Sequence, residues 1–316
     1  MSTFKEIRGT LIKSVSSDPA NPEIGEMWYN STIGSLKGYR VVAASWSSGG
    51  NLGTARYNLA GAGTQTEGLA FGGREPYTAD TEEYNGSTWS EQNNLATARA
   101  QLGGAGTQTA ALAFGGTQPG LTNSTEEYGG TSWTSGGALS LARRLLAGAG
   151  TQTAGLAFGG GPPNTTSTEE YGGTSWTSGG ALVNARRGLA GCGTQTAGLA
   201  FGGAPTTAAT EEYNGTSWTS QNGLSNSRSY LAGLGIQTAA LAIGGLPAPN
   251  KPLVEQYDGT NWTSTTSLTT GRAEGGATGT TSAGLFFGGS PGPAGVVTTE
   301  EFTGAFDATQ TLTTST

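Results

Sequence analysis

Histidine is absent from the 316-residue chain, and cysteine occurs once, as Cys192. Without histidine, the usual zinc sites and every Ser-His-Asp arrangement are excluded. A single cysteine cannot form an intramolecular disulfide. Cys192 stands where sister segments carry Ala62 or Ala149, so we expect a small buried side chain rather than a reactive thiol. No metal and no cofactor are predicted.

Charged residues are also scarce, at 12% of the chain, and the formal net charge is −7. The arginines are scattered, so the electrostatic footprint of a nucleic-acid-binding protein is missing. No apolar stretch approaches the roughly 20 residues that a membrane-spanning helix needs. The N-terminal segment lacks the apolar core of a signal peptide. We therefore predict neither nucleic-acid binding nor insertion into a membrane.

The chain instead contains six copies of one segment, spaced 42 to 44 residues apart and numbered here 1 to 6. Such a period indicates units that cannot bury a core alone and therefore stack on their neighbours. The Arg that marks each copy is Arg56, Arg99, Arg143, Arg186, Arg228 and Arg272. The recurrent Trp is Trp89, Trp133, Trp176, Trp218 and Trp262, and Trp46 precedes copy 1 in a matching phrase.

Each copy divides into four short segments separated by turn residues, which is typical of β-strands. Small residues dominate the first segment, which suits a strand near the axis of a propeller. In the second, Leu69 and Phe71 alternate onto one face. Helical periodicity is absent. The sequence thus predicts an all-β fold of four-stranded units, each the size of a propeller blade.

A Gly-Gly pair closing the second strand, a Tyr in the third, a Trp in the fourth and an Arg before the next first strand together resemble the kelch repeat. The resemblance covers residues 41–316 and implies a six-bladed kelch-like β-propeller. The chain departs from this pattern in copy 6, which reads Glu300-Glu301-Phe302, and in copy 5, which reads Glu255-Gln256-Tyr257. Some kelch proteins are copper oxidases with histidine ligands, which this chain does not contain.

Two segments could supply the fourth strand of the last blade. The phrase around Trp46 matches the fourth-strand phrase of the other copies, and a strand there would remove two exposed sheet edges. The alternative is a strand formed by residues 306–312, with Trp46 outside the blade. We expect the first arrangement, and we predict two domains: an N-terminal arm at residues 1–40 and a propeller at residues 41–316.

The recurrent charged residues of the blades are interpreted as framework. Consecutive strand residues point to opposite faces, so Glu211 and Glu212 cannot act together on one substrate. We expect one glutamate of each pair to meet an Arg and the other to be solvated. A catalytic group is needed once, whereas these residues recur in every copy. The six Arg and the six Trp are therefore assigned structural roles, and no enzymatic activity is predicted.

The loops after the Gly-Gly pairs differ most between copies, and each contains Pro, which stiffens a loop. Loops on a rigid scaffold commonly carry binding residues. Aromatic and cationic side chains anchor contacts, so Arg74, Tyr77 and Lys251 are the candidate ligand-binding residues. The alternative is that these loops vary only because nothing constrains them.

Residues 1–40 do not follow the repeat and are predicted to form a docking arm with a β-hairpin, although an ordinary flexible extension is the alternative. Residues 25–36 resemble the Gly-Asp/Glu-x-Trp-Tyr/Phe-Asn-x-Thr-x-Gly-x-Leu hairpin of bacteriophage tail and fibre proteins. Basic residues gather in this arm against an acidic body, which suits an acidic partner surface. The candidate docking residues are Lys5, Arg8, Lys13, Trp28, Tyr29 and Lys37.

Kelch-like propellers with such a leader resemble structural proteins of marine phages. The resemblance implies a non-enzymatic virion protein, made in the host cytoplasm and present in several copies per particle. Residues 1–40 would dock on other virion proteins of the tail or fibre, and the propeller would serve host attachment through a surface protein or glycan receptor. Two alternatives remain: a capsid or tail decoration protein with a rigid spacer, and a bacterial kelch-type interaction module or adhesin.

Overall fold

The computed structural model describes residues 12–247 and 252–312. These residues contain no helix, so none that could cross a membrane is present among them. The prediction of an all-β chain is confirmed. The chain divides into two compact units. We call residues 46–303 the repeat unit, and the described parts of 1–45 and 304–316 the small unit.

Most strands are only four residues long, because turn residues follow each apolar segment. Before copy 1 lie β1 (Lys13–Val15), β2 (Met27–Asn30), β3 (Ser35–Val42) and β4 (Ser45–Ser48). Copy 1 supplies β5 (Ala60–Gly63), β6 (Gly68–Phe71), β7 (Thr81–Tyr84) and β8 (Trp89–Gln92). Copy 2 supplies β9 (Gly103–Gly106), β10 (Ala111–Phe114), β11 (Thr117–Gln118), β12 (Gly120–Leu121), β13 (Thr125–Tyr128) and β14 (Trp133–Gly136).

The remaining copies continue the same pattern. Copy 3 supplies β15 (Ala147–Gly150), β16 (Gly155–Phe158), β17 (Thr168–Tyr171) and β18 (Trp176–Ser178). Copy 4 supplies β19 (Ala190–Gly193), β20 (Gly198–Phe201), β21 (Thr210–Tyr213) and β22 (Trp218–Gln221). Copy 5 supplies β23 (Ala232–Ile236), β24 (Ala239–Ile243), β25 (Val254–Tyr257) and β26 (Trp262–Ser264). Copy 6 supplies β27 (Gly276–Gly279), β28 (Ala283–Phe287) and β29 (Thr299–Thr303), and β30 (Phe306–Thr311) follows it.

The described residues form seven four-stranded sheets and one two-stranded sheet, β11–β12. Copies 1 to 5 each make one four-stranded antiparallel sheet. In copy 6 the order is β27-β28-β29-β4, so the strand that contains Trp46 lies beside β29. The alternative segment, β30, pairs with β3 in the small unit. The compact units thus differ from the expected domains, which ended the arm at residue 40 and gave residues 304–312 to the propeller.

The sheets of the repeat unit are arranged like the blades of a propeller. The first strands of successive copies contact each other, and β27 of copy 6 contacts β5 of copy 1. Small residues permit this approach: a Cβ at Gly148 would lie 2.4 Å from the carbonyl oxygen of Gly104 in the preceding copy. The first strands are therefore Ala- and Gly-rich because larger side chains would collide there.

One buried ion pair is repeated within every copy. The marker Arg reaches the first glutamate of the third strand of the same copy at 2.6 to 3.2 Å. In copy 4, the other oxygen of Glu211 accepts a hydrogen bond from the N–H of Val183 at 2.7 Å. The pairs are Arg56–Glu82, Arg99–Glu126, Arg143–Glu169, Arg186–Glu211, Arg228–Glu255 and Arg272–Glu300. Each pair holds the segment before a copy onto its third strand.

The second glutamate of each pair is half-buried rather than solvated, so that expectation was wrong. It accepts a hydrogen bond from the Tyr hydroxyl of the following copy, as when Tyr213 donates to Glu170 at 2.5 Å. Tyr84 of copy 1 likewise donates to Glu301 of copy 6. Five interfaces between neighbouring copies carry this bond. It links copies, whereas the Arg–Glu pair acts within one copy.

Two further side chains join the same five interfaces. Gln195 of copy 4 donates to the carbonyl oxygens of Gly155 and Tyr171 in copy 3, at 3.0 and 2.7 Å. Trp218 of copy 4 donates from Nε1 to Oγ1 of Thr168 in copy 3, at 2.9 Å. Equivalent Gln and Trp bonds occur at the other four interfaces. The recurrent Trp residues are thus part of the links between sheets.

The sixth interface, between copies 5 and 6, keeps the Trp as Trp46 but has different residues at the other linking positions, and we call it the seam. Val254 replaces the Thr, Gln256 replaces the second Glu, Thr281 replaces the Gln and Phe302 replaces the Tyr. Ile243 replaces the Phe whose ring contacts the Trp of the next copy at 4.8 to 5.0 Å elsewhere. The side-chain links of the other five interfaces therefore cannot form here in the same way.

Backbone hydrogen bonds still cross the seam. The N–H of Gly245 donates to the carbonyl oxygen of Arg272, and the N–H of Glu274 donates to that of Tyr230, both at 2.9 Å. At the seam, Val254 occupies the position of the threonine that accepts a hydrogen bond from Trp elsewhere. Trp46 instead donates from Nε1 to the carbonyl oxygen of Thr266 at 2.9 Å. Backbone hydrogen bonds and the Trp46 indole thus join copies 5 and 6 at the seam.

The small unit is the sheet β1-β2-β3-β30, in which β1 and β2 are parallel and the other pairs antiparallel. Trp28 is completely buried, and its Nε1 donates to Oδ1 of Asp18 at 2.8 Å. Asn30 donates to the same oxygen at 2.8 Å. These bonds, from Asn30 and then from Trp28, lower the pKa of Asp18. The predicted hairpin is present as β2 and β3.

Candidate functional site

The candidate site is built on the second residue after each marker Arg, where all six copies adopt the same left-handed backbone. There φ lies between 55° and 61°. The N–H of each residue donates to the carbonyl oxygen of its counterpart in the preceding copy at 2.7 to 2.9 Å, and the N–H of Asn58 donates to the oxygen of Glu274. We call these the cycle residues: Asn58, Gln101, Leu145, Gly188, Tyr230 and Glu274.

Five of the six cycle residues are not glycine, although a left-handed backbone favours glycine. For a side chain such as that of Leu145 or Tyr230, this conformation costs roughly 1 kcal/mol or more. Gly188 shows that glycine fits the same position. The backbone therefore does not require the five side chains, and strained residues of this kind cluster at functional sites.

The side chains of the cycle differ from one another, although their place relative to the marker Arg is constant. They comprise two amides of different length, a leucine, a glycine, a phenol and a carboxyl group. Two residues before each of them is the marker Arg, and the residue after is Leu in copies 1 to 5 and Gly275 in copy 6. The copies thus share a frame and vary at this structurally equivalent position, as they also do at the residue before it.

Together with the residues that follow them, the cycle residues line a cavity of about 100 Å³. Asn58 is only 6% exposed, and its side chain hydrogen-bonds to the carboxyl group of Glu274. Oε1 of Gln101 is buried without a partner. Leaving such a group unpaired costs about 1 to 3 kcal/mol. The cavity therefore offers one unpaired acceptor, Oε1 of Gln101.

Two carboxyl groups and one guanidinium act on the cavity. Burial raises the pKa of Glu274, a side-chain hydrogen bond from Asn58 and then the positive charge of Arg74 oppose this rise, and the negative charge of Glu75 adds to it. The guanidinium of Arg74 lies over the ring of Tyr57, 4.6 Å from its centre. Tyr57 in turn donates its hydroxyl hydrogen to Glu75 at 3.0 Å. The carboxyl groups of Glu274 and Glu75 and the guanidinium of Arg74 therefore influence one another.

Two of the predicted ligand-binding residues, Arg74 and Tyr77, lie in the loop between β6 and β7. Arg74 acts electrostatically on the cycle residue Glu274. Tyr77, three residues further along the loop, is 37% exposed. Lys251, like the docking candidates Lys5 and Arg8, lies outside the described residues. The structure thus relates one of the three predicted ligand residues to the cavity.

The other docking candidates lie on the small sheet. Lys13 is exposed on β1, Tyr29 is 42% exposed on β2, and Lys37 is half-buried on β3. Trp28 is fully buried, so its side chain is not at a surface. Of the Trp-Tyr pair in the hairpin phrase, only Tyr29 is available for contact.

Sequence reasoning missed the cycle residues because no residue type recurs among them. Aligning the copies on the marker Arg would have revealed them, since the second position after it reads Asn, Gln, Leu, Gly, Tyr and Glu, and the next residue is Leu in copies 1 to 5. Their shared left-handed backbone leaves no mark in the sequence, because only Gly188 and Asn58 are residues that commonly adopt it.

Comparison with known proteins identifies no family: no protein-family model matches the chain, and no curated protein matches it. The side chains of the described residues include no cluster of three or more histidine, cysteine, aspartate or glutamate residues placed to hold a metal ion. The site therefore has to be interpreted from its own geometry.

Proposed function

We propose that the repeat unit is a closed, six-bladed, kelch-like β-propeller and a non-enzymatic recognition domain. The cycle carries this proposal, because six equivalent positions joined by hydrogen bonds bear six different side chains around one cavity. Closure is supported by bonds from copy 1 to copy 6. Gln65 donates to the carbonyl oxygens of Gly284 and Phe302 at 3.1 and 2.7 Å, and Trp89 donates to Thr299 at 3.0 Å.

Recognition accounts better than catalysis for the distribution of polar groups. The strongly buried charges are paired within each copy, as Arg186 is with Glu211. The groups that differ between copies lie in the cycle and in the loops that carry Arg74 and Tyr77. Variation on a constant frame is the arrangement by which a scaffold acquires binding specificity.

We propose further that the small unit docks this domain on a phage particle, at the tail or a fibre. The support is the resemblance of residues 25–36 to tail hairpins, together with the exposed side chains of Tyr29 and Lys13 on the small sheet. On this proposal the protein is a virion structural protein in several copies, and the propeller is displayed for attachment to a glycan or protein of the host surface.

The test applies the labelled full chain to an array of bacterial surface glycans and to whole bacterial cells. We expect saturable binding to at least one of them. Tyr29→Ser serves as the matched control, because it should leave this binding unchanged while reducing incorporation into particles. Failure to bind any glycan or cell would contradict recognition and favour a decoration protein in which the propeller is a rigid spacer.

A further inference from the structure

The residue directly after each marker Arg distinguishes copies 3 and 4 from the other copies. It is Arg144 in copy 3 and Arg187 in copy 4, and its backbone pairs in every copy with the residue after the Gly-Gly pair. Arg144, for example, exchanges backbone hydrogen bonds with Gly161 at 3.0 and 3.1 Å. The other four copies have uncharged residues at this position: Tyr57, Ala100, Ser229 and Ala273. Alanine and serine fit the same frame, so the fold does not require the two arginines.

The two arginines are neighbours across the boundary between copies 3 and 4. The cycle residues that follow them are joined by a hydrogen bond from the N–H of Gly188 to the carbonyl oxygen of Leu145 at 2.8 Å. In the adjacent loop, Nδ2 of Asn164 donates at 2.8 Å to the carbonyl oxygen of Ala204, the residue that pairs with Arg187. Two positive charges are therefore held at equivalent positions of adjacent copies.

Neither guanidinium has a partner in the part of the chain that the structure describes. Among residues 12–247 and 252–312, the side chains of Arg144 and Arg187 form no ion pair and no hydrogen bond, and Nε of each is buried without a partner. Both residues are half-buried, so a ligand can reach them from solvent. The pair thus offers donors that the protein itself does not use.

The carboxylates of copies 3 and 4 are already bound within the framework. The first glutamate of each copy holds its marker Arg, and the second accepts the Tyr hydroxyl of the following copy. These four residues are Glu169, Glu170, Glu211 and Glu212, and the two copies contain no other acidic residue. Arg144 and Arg187 therefore carry positive charge that no carboxylate of their own copies compensates.

The corresponding cation of copy 1 has different surroundings. Arg74 lies over the ring of Tyr57, whose hydroxyl donates to the carboxyl group of Glu75. The residues that pair with Arg144 and Arg187 are a glycine and an alanine, which offer neither a ring nor a charge. Two neighbouring positive charges repel each other, and a bound anion would remove this repulsion.

The chemistry of the pair favours a carboxylate on an otherwise neutral ligand. A guanidinium carries only donors, in a planar fork that matches the two oxygens of a carboxylate. The chain as a whole has a formal charge of −7, so a polyanion would be repelled by the rest of the protein. A ligand with a single carboxylate meets the two arginines without this penalty.

An aromatic ring lies beside the pair. A Cβ on Gly188, the residue after Arg187, would come within 3.2 Å of the ring of Tyr230, so this ring covers the backbone next to the guanidinium. Tyr230 also lines the cavity of the cycle, together with Leu145. An aromatic face packs against C–H groups, and a guanidinium binds a carboxylate. An acidic sugar presents both kinds of group on one ring.

We propose that Arg144 and Arg187 bind the carboxylate of an acidic sugar residue, with the ring of Tyr230 beside the sugar. This rests on the proposed recognition function and names its site and ligand class. It moves the binding site from the loop of copy 1, where Tyr77 lies, to the boundary between copies 3 and 4.

Sister copies supply the replacements for the test. Arg144→Ala installs the residue of copies 2 and 6, and Arg187→Ser installs that of copy 5, so both variants should fold with an unchanged or higher Tm. Arg187→Lys keeps the charge but not the planar fork, and it replaces a neutral variant that does not fold. Arg40→Ser removes an exposed arginine of the small unit and is the matched control.

The measurement is titration calorimetry of the full chain with methyl glucuronide, methyl galacturonide and sialic acid. Methyl glucoside and methyl galactoside are the neutral counterparts, and acetate is the bare carboxylate. We expect at least one acidic sugar to bind, with a Kd raised about tenfold or more by Arg144→Ala or Arg187→Ser. Arg187→Lys should weaken binding less than Arg187→Ser, and Arg40→Ser should leave the Kd unchanged.

Four results would overturn the inference. A neutral counterpart that binds as tightly as its acidic sugar would show that the carboxylate is not recognised. Binding of acetate as tight as that of the sugars would reduce the site to a simple anion site. Acidic-sugar binding that survives both neutral variants would place recognition elsewhere and leave the proposed function intact. If no acidic sugar binds, the inference fails, and the glycan array and cell binding then decide separately whether the recognition function fails with it.

Discussion

Copies 3 and 4 meet through Tyr213, which donates to Glu170, and through Gln195, which donates to two backbone carbonyls. Copies 5 and 6 meet at the seam, where the corresponding residues are Phe302, Gln256 and Thr281. The replacements are concerted, because the hydroxyl donor and the carboxylate acceptor are both gone. Removing both partners of a hydrogen bond is nearly neutral, whereas removing one leaves an unsatisfied group.

The comparison also bears on the candidate site. The two cycle residues beside the seam are Tyr230 of copy 5 and Glu274 of copy 6, and one backbone hydrogen bond joins them. Elsewhere, side-chain links reinforce the contact between copies. The backbone hydrogen bonds of the cycle residues therefore continue across the seam, although the side-chain links of the regular interfaces do not support them there.

The largest expected effect is alkaline unfolding, because it acts on five interfaces at once. Burial, and then hydrogen bonding to Glu301, Glu127 and Glu170, raises the pKa of Tyr84, Tyr171 and Tyr213 to about 12. In the unfolded chain these tyrosines lose their protons near pH 10. The unfolded state therefore binds fewer protons between these values, and stability falls as pH rises from 10 toward 12.

Thermal unfolding measured from pH 8 to 12 checks this, with tyrosinate absorbance recorded in parallel. The seam contributes nothing to the effect, since Phe302 cannot ionise. Stability that stays level across the window from pH 10 to 12 would show that the tyrosine hydroxyls are not held at the interfaces.

The second-largest expected effect comes from placing the residue types of the seam at a regular interface. The variant Thr168→Val, Glu170→Gln, Gln195→Thr, Tyr213→Phe removes all three links between copies 3 and 4. It should lower the free energy of unfolding by about 3 kcal/mol, since it leaves two carbonyls and an indole N–H unpaired. Urea denaturation measures the change, and Thr219→Val on an exposed strand position is the control. A loss no greater than that of the control would mean that the links carry little energy.

A smaller effect is the coupling between the two partners at the seam. Gln256→Glu alone places a carboxylate opposite Phe302 and should lower the free energy of unfolding by about 1 kcal/mol. Adding Phe302→Tyr supplies the donor and should reverse that loss. The double-mutant cycle measures this coupling, which we expect to be about 1 to 2 kcal/mol. Strictly additive changes would contradict the pairing of these positions.

The smallest predicted effect is repair of the seam by Thr281→Gln. The new amide should reach the carbonyl oxygens of Ala240 and Tyr257, as Gln195 reaches their counterparts, and raise the free energy of unfolding by about 1 kcal/mol. The same urea series provides the measurement. A neutral or destabilising result would indicate that copies 5 and 6 are too far apart for the regular links.

The sequence predicts the elements better than the contacts between them. The spacing of Gly-Gly, Tyr and Trp suffices for the four strands of each copy, since turn residues and alternation act locally. The exceptions Gln256 and Phe302 are visible in the sequence as departures from the repeat, but the sequence does not show that these two residues lie opposite each other. Each Tyr bonds the Glu of the preceding copy, and this depends on how two sheets pack.

The boundary of the repeat unit and the cycle were harder to predict for a related reason. Strand β30 pairs with β3, a contact between distant parts of the chain that no local pattern announces. The cycle residues share a backbone conformation and no residue type, so a search for recurrence passes over them. The chemistry of the site is thus carried by the positions where the repeat is broken.

The most direct test of this account is hydrogen exchange at the amides of the cycle, measured by NMR on the full chain. Closure of the six copies around one cavity requires the N–H of Asn58 to donate to Glu274. We predict that this amide is protected to the same degree as that of Gln101, which makes the equivalent bond between copies 1 and 2. Exchange of the Asn58 amide at the rate of an unstructured chain would contradict both the closed cycle and the cavity built on it.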